Sequence, residues 1–104
     1  MPFDGSEGSQ ITLPRAVELS GAYRKANPDK SVGIFLGRDI LTTLLEQPEC
    51  QGIRFSFGLD STEAHLVAVS ADSNENDLFG DGYIIADDGS KCPPFSGQAN
   101  VLNS

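Results

Sequence analysis

The chain has 104 residues, 38% of them apolar, with fifteen acids against seven bases and a formal net charge of −8. That length suits one domain and leaves no room for two independent cores. The charge disfavours nucleic acid and anionic membrane surfaces, and no basic stripe with interleaved aromatics offsets it. The imbalance is local: residues 1–58 carry seven acids against six bases, whereas residues 59–104 carry eight acids against Lys91 alone.

Residues 1–10 are mostly Gly, Ser and acid and read as a flexible lead-in. MPFDGSEGSQ has neither a basic stretch nor an apolar run of the kind that opens a signal peptide, so the expected location is cytoplasmic. No apolar run approaches the roughly 20 residues of a membrane helix. Cys50 and Cys92 are too few for a disulfide framework and form no CxxC, so reduced thiols are expected.

Structure is expected from Ile11. Thr12 is placed to cap a helix with Pro14 in its first turn, where a missing N–H costs nothing. Ala16, Leu19, Tyr23 and Ala26 recur at helical steps, and Asn27-Pro28 ends the run. Residues 31–36 read as an extended segment or a helix entry. A second helix is expected over 38–47, with Ile40, Leu41, Leu44 and Leu45 as its stripe and Pro48 as its stop.

After Gly52 the period shifts to two. Ile53, Phe55 and Phe57 alternate with Arg54, Ser56 and Gly58, which predicts a strand over 53–58 with one buried face. A turn at 59–62, a central strand over 64–71, a polar connection and a third strand over 82–86 follow. Asp87-Asp88-Gly89 reads as a turn. Pro93-Pro94 ends regular structure, leaving 96–104 as a C-terminal tail. The expected architecture is α+β: a single domain over 11–95, with two N-terminal helices packed on a small antiparallel sheet of three or more strands.

The segments Gly52-Ile53-Arg54-Phe55, Phe57-Gly58-Leu59-Asp60, Leu66-Val67-Ala68-Val69, Asn76-Asp77-Leu78 and Cys92-Pro93-Pro94 together resemble a family of small uncharacterised bacterial proteins. Residues 35–41 fit the same pattern, and the likeness spans residues 11 to about 96. It implies a shared fold and no assigned activity. In that pattern a second cysteine often follows the Pro-Pro pair; here the position is Ser96, which removes a Cys-pair chemistry.

Few residues suggest chemistry. Asp72, Asn74 and Asn76 match the opening of a calcium-binding loop, but Asp77 stands where Gly is needed and Tyr83 where the bidentate Glu belongs. His65 is the single histidine and could activate a thiol only if the fold brought one to it. Lys91 beside Cys92 favours a thiolate weakly. Asp87 with Asp88, and Asp77 with Asp81, are pairs of acids without a recognisable cleft. Nucleotide-binding and hydrolase signatures are absent. No catalytic, cofactor-binding or metal residue is therefore assigned, and no cofactor is expected. A non-enzymatic protein-interaction domain is expected, partnered by a second copy or by another protein. The alternative is a small-ligand or cation-binding module built on residues 72–81. Ala64, Leu66 and Ala68 alternate with His65, Val67 and Val69, so neither face of the second strand is plainly polar. Either a dimer partner covers it, or a terminal segment anchored by Phe3 or Phe95.

Overall fold

The computed structural model describes residues 2–103, and within them the chain divides into two compact units. The first comprises the N-terminal residues to Glu7 together with Leu36–Gly89; the second comprises Gly8–Phe35 and the segment from Ser90 onward. Helices α1 (Leu13–Ala26) and α2 (Arg38–Leu45) accompany strands β1 (Gly33–Phe35), β2 (Gly52–Asp60), β3 (Glu63–Ala71), β4 (Ile85–Ala86) and β5 (Ser90–Cys92). The fold class is α+β, with a three-stranded antiparallel sheet of order β2-β3-β4 and a two-stranded sheet of β1 and β5. Among the described residues, no helix is long and apolar enough to cross a membrane.

In the first unit, β2 and β3 form a hairpin in unbroken register from Gly52 opposite Ala71 to Asp60 opposite Glu63. Its loop is the two residues Ser61-Thr62, and Ser61 takes the positive φ of 55° that such tight turns require. One face of the hairpin carries Ile53, Phe55, Phe57 and Leu59 beside Ser70, Ala68, Leu66 and Ala64. Helix α2 lies on the Ile53 end of this face. Leu44 is fully buried with Ala68 and Ala86, and Leu36, Ile40, Ile53 and Ile84 close around them. Leu45, expected within the buried stripe, points outward and is half exposed.

A buried polar network fastens this core. Ser70, with no exposed surface, donates its hydroxyl to the Leu44 carbonyl at 2.7 Å, satisfying a carbonyl in the last turn of α2. The Gln47 amide donates to Ser70 Oγ and accepts from the Ile84 N–H, both at 2.7 Å. Tyr83 adds a hydroxyl bond to the Pro48 carbonyl at 2.9 Å. These bonds explain a difference from the expected third strand over 82–86. The Ile84 N–H is committed to Gln47, and Tyr83 closes a turn on Gly80, so only Ile85 and Ala86 pair with β3. Helix α2 likewise ends at Leu45, two residues before the expected stop, because Gln47 turns in toward the sheet.

The other face of the hairpin, with Arg54, Val67 and Val69, receives the N-terminal segment at its Gly52 end. The Phe3 N–H donates to the Ser73 carbonyl at 2.9 Å, and the Arg54 guanidinium lies 5.4 Å from the Phe3 ring centroid.

In the second unit, Thr12 caps α1 by accepting the Arg15 N–H, and Asn27 closes it through its backbone and side-chain bonds to the Tyr23 carbonyl. The half-buried face of α1 runs through Ala16, Val17, Ser20 and Gly21, while Leu19 and Tyr23 stay about half exposed. The expected stripe of Ala16, Leu19, Tyr23 and Ala26 is therefore displaced toward smaller residues. Strand β5 has no counterpart in the sequence pattern, where Pro93-Pro94 reads as a loop; the Val32 N–H bond to the Cys92 carbonyl extends its pairing with β1.

Two stability effects follow. Ser70→Ala removes the hydroxyl bond to the Leu44 carbonyl and leaves the Gln47 NH2 group without its acceptor, and a loss of about 1–3 kcal/mol is expected in chemical denaturation. In α1, a methyl at Gly21 meets nothing closer than an Arg24 nitrogen at 3.6 Å. Gly21→Ala should therefore stabilise the helix by about 0.5–1 kcal/mol, read as higher helicity and a raised melting midpoint.

Candidate functional site

Sequence reasoning singled out His65 and the Asp87-Asp88 pair separately; the fold brings them together. His65 sits on β3 opposite Gly58, on the face away from α2. The register of β4, with Ala86 opposite Ala68, carries the chain on so that Asp87 comes level with Val67 and diagonal to His65. His65 Nδ1 lies 2.8 Å from Asp87 Oδ2, and Asp88, at a φ of 59°, brings a carboxylate to the same place. Ligand atoms of the three residues all fall within 4.8 Å of one another.

An ionised carboxylate only accepts hydrogen bonds, so the bond to Asp87 fixes the imidazole proton on Nδ1. The other ring nitrogen, Nε2, is buried and has no hydrogen-bond partner among the described residues. A general base must reach the proton it removes, and this nitrogen is shut from solvent. Among the described residues, His65, Asp87 and Asp88 form the group placed to hold a metal ion. A cation on the Nδ1 side, however, would displace the shared proton to Nε2 and leave a buried N–H without an acceptor, at a cost of about 1–3 kcal/mol. The arrangement serves as a clasp, holding the exit of the two-residue β4 to β3.

The Asp72 loop is organised around its own backbone. Asp72 Oδ1 accepts the N–H groups of Asn74 and Asn76 at 2.9 and 3.0 Å, and the Asp72 N–H donates to the Asn76 carbonyl at 3.0 Å. The Asp77 carboxylate pairs with Arg54, whose second nitrogen donates to the Glu75 carbonyl at 3.1 Å. Asp77 thus faces a guanidinium, and not Asp81 as an acid pair would require.

Both thiols are unpaired. Cys50 Sγ donates to the Gly52 carbonyl and Cys92 Sγ to the Phe95 carbonyl, each at 3.2 Å. Cys50 precedes the Gly52 end of β2, whereas His65 pairs with Gly58. At about 3.3 Å per residue they stand some 20 Å apart, too far for a thiol–imidazole pair.

An open cleft of about 250 Å³ lies between the N-terminal segment and the start of β2, lined by Phe3, Gly5, Glu7, Gln51, Gly52, Ile53, Arg54 and Ala71. Two of its polar side chains, Glu7 and Arg54, are already engaged. Glu7 accepts the N–H groups of Asp4 and Gly5, and Ser6 donates to Asp4, holding that exposed carboxyl below its usual range.

The largest feature is apolar. Helix α2 has eight residues, a rise of about 12 Å, and lies on a hairpin whose nine-residue strands run about 30 Å. The helix therefore covers only the Ile53 end. Phe55, Phe57 and Leu59 continue the same face into solvent, with Phe57 94% and Leu59 76% exposed. The alternation of these residues was legible as a buried face; its lack of cover was not. Comparison of the chain with protein-family models, with curated proteins and with solved structures found no match.

Calorimetry at neutral pH should show no stoichiometric micromolar uptake of calcium or zinc. A calcium site lost on Asp72→Ala, or a zinc site lost on His65→Ala, would contradict the self-contained bonding of these two clusters.

Proposed function

We propose that this protein is a non-enzymatic interaction domain whose working surface is the uncovered half of the β2–β3 hairpin. One observation carries the reading: Phe55, Phe57 and Leu59 form an aromatic and aliphatic row on a single sheet face, beside Leu66 and Ala64, beyond the reach of helix α2. Large contiguous apolar surface on a water-soluble fold marks a place where another surface docks. Aromatic side chains are also the residues that concentrate binding energy in interfaces. The partner is a protein, since the net charge of −8 repels nucleic acid and anionic lipid. A reducing, cytoplasmic setting suits two unpaired thiols.

Because Phe57 and Leu59 are exposed, replacing both with Ser should change stability by no more than about 0.5 kcal/mol. Chemical crosslinking of the tagged chain in lysate, wild type against the Phe57→Ser, Leu59→Ser variant, tests the role of the row. The wild type should crosslink to one or more protein chains, copies of itself included, that the variant loses while its melting curve is unchanged. Identical crosslinks from the two proteins would sink the reading.

A further inference from the structure

We propose that the occupant of this surface is helix α1 of a second copy of the chain, laid along the Phe55, Phe57 and Leu59 row, so that each copy gives a helix and receives one. This rests on the interaction reading above and names its partner.

The uncovered face has the footprint of one helix. Helix α2 takes about 12 Å of a hairpin about 30 Å long, which leaves about 18 Å. Strand β4 pairs only at Ala68 and Val69, so toward the turn the face is two strands wide. Two strands span about 10 Å, and a helix with its side chains is about 10–12 Å across. A single helix of about three turns therefore covers the row.

Helix α1 offers the matching stripe. Its half-buried face runs through Ala16, Val17, Ser20 and Gly21. On its other side Leu19, Ala22, Tyr23 and Ala26 fall at i, i+3, i+4 and i+7, the spacing of a stripe that packs against a neighbour. All four are exposed, Leu19 at 47% and Tyr23 at 50%. In the single chain the stripe and the row thus both face solvent, and the helix that fills the slot comes from a second copy. Since every copy carries both surfaces, the exchange makes two contacts in one closed pair.

Charge selects this pairing over two rows set face to face. The unit that carries the hairpin has thirteen acids against two bases, a net of −11. The unit that carries α1 has two acids against five bases, a net of +3. Row against row brings like charge together, whereas helix against row joins units of opposite sign. At the rims, Lys25 lies in the last turn of α1, and Asp60 and Glu63 stand at the turn end of the row.

The test uses the full chain under reducing conditions. Sedimentation equilibrium from micromolar to hundreds of micromolar should give a mass rising from that of the chain toward twice it. Tyr23→Glu sets a charge into the apolar contact and should hold the chain monomeric. Ala22→Glu, at another exposed position of the stripe, repeats the test where the first variant loses its cooperative melting. The Phe57→Ser, Leu59→Ser variant should be monomeric as well. Mixed at hundreds of micromolar, the Tyr23→Glu chain, with its row intact, and the serine variant, with its helix intact, should associate. One of the two contacts is then restored, and neither protein has it alone. A wild type that stays monomeric throughout overturns the inference even where Phe57-dependent crosslinks to other proteins persist. So does a dimer that survives both glutamate variants, or a mixture no heavier than its components. Identical lysate crosslinks from the wild type and the serine variant, by contrast, remove the interaction reading itself.

Discussion

The first unit depends on one buried polar junction, where the Ser70 hydroxyl meets the Leu44 carbonyl and the Gln47 amide. The apolar core around Leu44, Ala68 and Ala86 is small, two of its three members being alanines. Hydrophobic burial alone gives such a core little directional preference, since alanine methyls pack equally well in several arrangements. The junction supplies direction. It anchors the end of α2 to β3 through Ser70, and the same Gln47 side chain takes the Ile84 N–H, setting where β4 begins. Helix end, central strand and edge strand are thereby held through three neighbouring polar groups, each with its partner in place.

Legibility in the sequence followed the range of the forces involved. Helix α1, capped by Thr12, helix α2, and the long strands β2 and β3 are written in local patterns: cap residues, a period near 3.6, then a period of two. Their limits move by only a few residues. Strand β4 is shorter than its apolar run because the side chain of Gln47, distant in sequence, competes for the Ile84 N–H. Strand β5 sits against Pro93-Pro94 and pairs with β1 across most of the chain length, a contact with no local signature. The His65–Asp87 bond depends on the register of a two-residue strand, which no reading of composition or spacing supplies. Phe3 was visible as an apolar residue in a polar lead-in; its place beside Arg54 requires knowing which end of the hairpin is open.

The proposed function rests on the mismatch between helix and hairpin. Evenly covered, the Ile53–Phe55–Phe57–Leu59 face would be an ordinary core. Because α2 is a short helix, the same alternation is core at one end and surface at the other. The chemistry-bearing side chains, by comparison, are turned on one another: Asp72 on its loop amides, Asp77 on Arg54, Asp87 on His65. What the fold leaves open is apolar surface and a strand edge.

The partial cover also grades the hairpin along its length. Near Gly52 each backbone bond between β2 and β3 lies beneath helix and core, and breaking it exposes Leu44 and its neighbours. Near Ser61 the same kind of bond has water on its flanks and a turn residue held at positive φ. Opening from the turn is therefore a local fluctuation, whereas opening from the other end is unfolding of the whole unit. The fold thus separates a rigid root from a yielding tip, and the tip is free to adjust its twist to whatever lies against it without disturbing the root.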